Sequence, residues 1–151
     1  MAYKIYCVDE ELKPKVGSKF AAGIDLKTAS DFSLEPGQEI TIGTGVYVEI
    51  PRYMVGLIGP RSSLGSHDGL YVALKNTLGF IDSDYRGEIG VKLINKGTKT
   101  LTMFRGDRVC QMVVVPHHPA TPIFVNSKDE LSDTERGSGG WGHSGDDIKT
   151  Q

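Results

Sequence analysis

The sequence predicts an all-β fold, a jelly-roll-like sandwich or barrel subunit with little helix, and three observations carry that reading. Apolar residues recur with a period of two in several short stretches, and turn-forming pairs interrupt those stretches at short intervals. The 19 glycines break most windows in which a 3.6-residue apolar stripe would have to run. A chain of 151 residues has room for one ordinary core, and its 38% hydrophobic and 24% charged fractions are those of a globular protein.

Taken in order, Lys4 to Val8 reads as the first strand. Pro36-Gly37 is a turn, after which Glu39 to Ile42 and the alternating Val46, Val48 and Ile50 read as strands. Met54 to Ile58 follows and is stopped by Gly59-Pro60, with at most a short helical turn expected after Arg61. Leu70 to Leu74 and then Ile89, Val91 and Leu93 continue the pattern up to the turn Asn95-Lys96-Gly97. Thr100 to Phe104, the turn Arg105-Gly106, and the alternation Val109, Gln111, Val113, Val115 close it. From Ser132 the apolar periodicity stops and glycines 137, 139, 140, 142 and 145 take over. Two parts are therefore expected: a β domain over 1–131 and a mobile glycine-rich tail over 132–151.

Charge and composition exclude some functions. A formal charge of -2 offers no basic surplus for wholesale binding of a nucleic-acid polymer. No apolar run approaches the roughly 20 residues of a membrane-spanning helix, and Met1 to Asp9 lacks the apolar region of a secretory leader. A cytoplasmic location is expected, the host cytoplasm if the source is viral. Cys7 and Cys110 lie far apart in apolar stretches, which favours buried reduced thiols. His117-His118 has no cysteine or second histidine pair nearby to make a metal site.

Five polar, glycine-bearing segments interrupt the β pattern: Ala22-Gly23-Ile24-Asp25-Leu26, Pro60 to Gly65, Gly79 to Glu88, Arg105 to Met112, and Arg136 to Gly145. Alone, each has a plain explanation. Asp25 is an outward residue between two inward ones, Arg61-Ser62-Ser63 a capped turn, Asp82-Ser83-Asp84 a solvated turn, Arg108 and Gln111 outward strand residues, and the tail a disordered terminus. Their co-occurrence in this order is not explained that way. Together they resemble the five motifs of the homotrimeric dUTPase family, across residues 22 to 145, with Gly79 to Glu88 and Arg136 to Gly145 the most specific strings.

The resemblance implies a jelly-roll subunit, a homotrimer with active sites shared between chains, and hydrolysis of dUTP to dUMP and pyrophosphate by water attacking the α-phosphorus. It makes Asp82 the residue that orients and deprotonates the water. Asp25 supports a hydrated Mg2+ from the outer shell, with no protein side chain ligating the metal directly, because magnesium keeps its waters and is gripped by the triphosphate. Arg61, Ser62, Gln111, Arg136 and Ser144 contact phosphates, Ser62 at the departing bridging oxygen, with backbone N–H groups around Ser63 and Gly65 adding donors. Asn76 hydrogen-bonds the uracil edge and Tyr85 packs on the deoxyribose. Gly79, Ile81, Gly140 and His143 join the substrate-binding set. Trp141 stands where the family commonly has phenylalanine, and its indole can stack on uracil as the tail closes.

Three rival readings stay open at this stage. They are a dCTP deaminase on a related fold, a regulatory protein that senses dUTP and engages another protein, and a structural jelly-roll protein.

Overall fold

The computed structural model describes residues 2–65 and 68–140. Trp141, His143 and Ser144 lie outside the described residues. The chain divides into two compact units, Met1–Pro119 and Ala120–Gln151.

Among the described residues, twelve strands build the first unit: β1 (Lys4–Cys7), β2 (Lys15–Val16), β3 (Ile24–Lys27), β4 (Phe32–Leu34), β5 (Glu39–Gly43), β6 (Val46–Glu49), β7 (Met54–Pro60), β8 (Val72–Leu74), β9 (Gly79–Ile81), β10 (Gly90–Asn95), β11 (Leu101–Met103) and β12 (Arg108–Pro116). Helix among the described residues is confined to single 3-10 turns at Glu10–Leu12, Ser62–Gly65 and Lys128–Glu130. The mostly-β, helix-poor expectation therefore holds. So does the turn after Arg61. None of these helices is long and apolar enough to cross a membrane.

The strands form four antiparallel sheets: β1-β6, β5-β10-β8, β11-β4, and the five-stranded β2-β3-β12-β7-β9. The alternation of Val46, Val48 and Ile50 and of Ile89, Val91 and Leu93 buries all six side chains, as a period-two stripe with one face on a core must. β2, β3, β4 and β9 carry no long alternation. They are short strands recruited by pairing partners distant in sequence, Ile24 to Lys27 by β12 and Gly79 to Ile81 by β7.

One phase differs from expectation. The register of β12 against β3 shifts between Arg108 and Cys110, a bulge that places Val109 and Cys110 both in the interior. Beyond it Cys110 and Met112 face the core, while Gln111 is exposed and Val113 and Val115 are only half-buried. The stripe read as Val109, Gln111, Val113 and Val115 is thus split by one inserted residue. Cys110 is buried and free as expected, and burial, chiefly, pushes its thiol up to about 12. Cys7 is also free but only half-buried.

Among the described residues, the polar side chains of Thr28, Thr44 and Asn95 are fully buried. Asn95 donates to the carbonyls of Leu34 and Lys99, both at 2.8 Å, and accepts from the Gly97 amide at 2.9 Å. A turn expected from Asn95-Lys96-Gly97 is therefore anchored inside the core by its first residue, which binds three separate backbone groups.

The second unit has no strand among its described residues 120–140. Its one 3-10 turn carries a capping box in which Ser127 and Glu130 bond each other's backbone amides.

Candidate active site

Asp25 sits on β3 between Ile24 and Leu26, both buried, so alternation turns its carboxylate away from the core. Gly23 precedes it because a Cβ there would collide with the Met112 carbonyl of the neighbouring strand. β3 can then lie flush on β12, and the register sets Asp25 opposite Gln111 and Gln111 opposite Gly59. β7 ends one residue later at Pro60, and the Arg61 side chain that follows reaches the Arg108 carbonyl of β12 and Asp25 of β3.

Two guanidiniums converge on Asp25. Arg61 Nε lies 3.3 Å from one carboxylate oxygen and Arg108 Nη1 donates to the other at 3.0 Å. Asp25 and Arg61 keep only 18% and 20% of their side-chain surface, whereas Arg108 keeps 42%, so the first pair is much less screened than the second. Arg61 Nη1 also donates to the Arg108 carbonyl at 3.2 Å and to Ser63 Oγ at 3.3 Å, tying the 3-10 turn to β12. Gln111 donates from Nε2 to the Pro60 carbonyl at 3.1 Å. Ser62 is exposed at the start of the turn that Gly65 ends.

Arg108 was given no role from the sequence. It and Gln111 are three residues apart, which on a regular strand puts their side chains on opposite faces. The bulge adds one residue between them and brings both to the Asp25 side. An outward position for both agrees with the plain strand reading; that Arg108 meets Asp25 lies in the pairing register, which a linear alternation does not contain.

Asp82 stands elsewhere. β9 pairs with β7 through Gly79 opposite Ile58, Phe80 opposite Leu57 and Ile81 opposite Gly56, so the next residue, Asp82, falls level with Val55. From Val55 to the level of Gly59, Gln111 and Asp25, β7 spans about 13 Å at roughly 3.3 Å per residue, and β7 and β12 also separate β9 from β3. Within one chain, Asp82 is not in reach of the Asp25–Arg61–Arg108 cluster.

Around Asp82 the local geometry is tight. The Asp82 carbonyl accepts from the Tyr85 amide at 3.1 Å, closing a turn that leaves the Asp82 side chain exposed. Tyr85 donates its hydroxyl to the Glu88 carbonyl at 2.9 Å, and a Cβ at Gly87 would make that phenol shift. Glu88 in turn accepts from the Gly45 amide at 2.7 Å, fastening the segment to the β5–β6 turn. Asn76 is exposed just before β9. Arg136, in the second unit, donates from Nε to the Gly139 carbonyl at 2.8 Å, and Gly140 is exposed.

A carboxylate clamped by two arginines, with a glutamine amide and a serine-bearing turn alongside, is chemically able to receive an anion: planar guanidinium forks suit paired oxygens such as those of phosphate, and the carboxylate holds them in place. The family model for dUTPase matches residues 11–145. The deoxyuridine 5′-triphosphate nucleotidohydrolase of Escherichia phage T5 is 44% identical over 149 residues, covering 94% of this chain and 97% of that protein. That of Mycolicibacterium gilvum is 49% identical over 127 residues, covering 82% and 81%. Among solved structures, the dUTPase of Staphylococcus bacteriophage 80alpha with dUPNHPP matches the fold with a TM-score of 0.81 at 24% identity, covering 95% of this chain and 98% of that one. A mutant dUTPase of phage phi11 of S. aureus, which coordinates a structural Mg(II) ion, matches with a TM-score of 0.74 at 24% identity, covering 85% and 99%. The chain belongs to the dUTPase family and is an enzyme, a nucleotide pyrophosphohydrolase.

Proposed function

We propose that the chain hydrolyses dUTP to dUMP and pyrophosphate at sites shared between the copies of a homotrimer of closed jelly-roll subunits, limiting uracil entry into DNA and supplying dUMP for thymidylate synthesis. The observation that carries the shared site is the register of β9 on β7, which sets Asp82 apart from the Asp25–Arg61–Arg108 cluster of its own chain. A second copy that brings its Asp82 to the cluster completes the constellation.

Asp82 orients the attacking water and takes its proton. An ionised carboxylate is a weak base, so most of the rate comes from holding water in line with the α-phosphorus and from fixed positive charge. Arg61, Arg108, Gln111, Arg136 and Ser144 hold the phosphates, with Ser62 donating to the departing oxygen and the amides of Ser63 and Gly65 alongside. A magnesium ion carried by the triphosphate supplies charge neutralisation. Asp25 is already shared by two arginines. That suits hydrogen bonding to the ion's water shell better than direct ligation. Gly79 and Ile81 form the strand from which Asn76 and Tyr85 address base and sugar. Gly140, Trp141 and His143 come over the nucleotide with the tail.

The shared site has a direct test. Asp82→Asn and Arg61→Ala proteins, each inactive alone, are unfolded, mixed in equal amounts and refolded together. With random pairing about a quarter of the sites receive both native residues, and pyrophosphate release from dUTP returns to a similar fraction. No recovery, in a mixture that light scattering shows to be trimeric, contradicts the shared site. Closure of the tail is read from Trp141, the single tryptophan: saturation with a non-hydrolysable dUTP analogue shifts its fluorescence. An unchanged signal at saturation rejects stacking on uracil.

A further inference from the structure

We infer that Thr77 is a specificity-determining positioning residue, whose left-handed backbone sets the turn that presents Asn76 to the base. The inference rests on the proposed reading of Asn76 as the residue that meets the uracil edge.

Thr77 has φ of 62° and is one of two non-glycine residues with positive φ among those described, the other being Tyr53. For a β-branched residue this region is strongly disfavoured, because the branched side chain crowds its own backbone carbonyl. The turn is also short. The Leu78 amide donates to the Asn76 carbonyl at 2.6 Å, closing a three-residue turn with Thr77 at its centre, and the Thr77 amide donates to the Leu74 carbonyl at 3.0 Å.

The neighbouring strands explain why this strain persists. β8, on one side, belongs to the three-stranded sheet, where the Lys75 amide extends its pairing by donating to the Lys92 carbonyl at 2.8 Å. β9, on the other side, belongs to the five-stranded sheet, where Gly79 lies opposite Ile58. Lys75 to Leu78 must therefore carry the chain from one sheet to another. A Cβ on Gly79 would come within 3.1 Å of the Ile58 Cβ, so the exit strand has no slack, and the Asn76 Nδ2 would be 3.9 Å away on the same side. A backbone fixed at both ends and reversed within so few residues holds Thr77 in its unfavourable well.

The turn carries Asn76 directly and borders open space on its own chain. Thr77 is among the residues that line a cleft of about 430 Å³, together with Pro60, Ser62, Tyr71 and Lys75. A turn that is rigid beside Asn76 discriminates between bases differing by one exocyclic group better than a soft one, since a pocket that can yield gives up most of the energy difference. The threonine branch supplies rigidity that glycine would not.

The test uses the full-length protein. Thr77→Gly can adopt the same φ without strain, so it folds and its melting temperature holds or rises. Its KM for dUTP is expected to rise about ten-fold while kcat changes by less than about two-fold, the pattern of lost ground-state positioning. The preference for dUTP over dTTP and dCTP falls with it. Thr77→Asn, which tolerates the left-handed region and keeps a side chain, restores most of the preference. Unchanged base preference in Thr77→Gly overturns the inference, as does an equal loss on all three nucleotides. Asn76→Ala separates the two readings. If Asn76→Ala raises KM and relaxes selectivity while Thr77→Gly does neither, the inference about Thr77 fails alone. If Asn76→Ala changes nothing, the reading of Asn76 fails and this inference with it.

Discussion

Asp82→Asn is expected to lower kcat for dUTP by about 10² to 10⁴-fold, the range typical of a lost general base, with little change in nucleotide affinity. The side chain is exposed and lies beyond the end of β9, in a turn closed by backbone groups, so the substitution removes no packing and the fold is unaffected. Asparagine keeps the size of the side chain and its ability to hydrogen-bond water but cannot take a proton. Steady-state kinetics paired with equilibrium binding of a non-hydrolysable analogue separates the two effects. A variant whose turnover matches the parent removes Asp82 from the water-activating role.

Asp25→Ala acts differently, through the arginines. Two guanidiniums that now share one carboxylate, at 3.3 and 3.0 Å, would be left facing each other without it. The Arg61 side chain is mostly withdrawn from water and has the Arg108 carbonyl and Ser63 as remaining partners. It is expected to move, and a displacement of about 1 Å at a positioning group costs about 10²-fold in kcat/KM. The stability cost is about 1 to 3 kcal/mol, below that of a fully buried pair because the Arg108 side chain keeps 42% of its exposure. Thermal melting and kinetics at low and high salt check both. Kinetics indistinguishable from the parent contradict the clamp, whereas a smaller defect in Asp25→Asn shows how much of the effect is shape rather than charge.

Asp25, Arg61 and Gln111 were legible because each lies in a segment whose composition a sheet has no need of. Arg108 lies in the same segment as Gln111, yet its role depends on a bulge that changes which side chains share a face. The same bulge interrupts the alternation of β12, so that Val109, Cys110 and Met112 are all buried. Bulges cost one residue of phase and leave no mark in a hydrophobic pattern that continues on either side of them. Thr77 is a comparable case. Nothing in Lys75 to Leu78 as a string announces a left-handed threonine; the need arises because its two flanking strands belong to different sheets.

By itself, the sequence determined the β-rich class, the strands with long alternation, the turn after Arg61 and the family, because periodicity and short polar motifs are local properties that survive in one dimension. The tertiary structure alone decided that β2, β4 and β9 are strands, that Arg108 joins Asp25, and that Asp82 stands away from them along β7. Each of these depends on which residues are paired across the sheet, and pairing is set by hydrogen bonds between segments far apart in the chain.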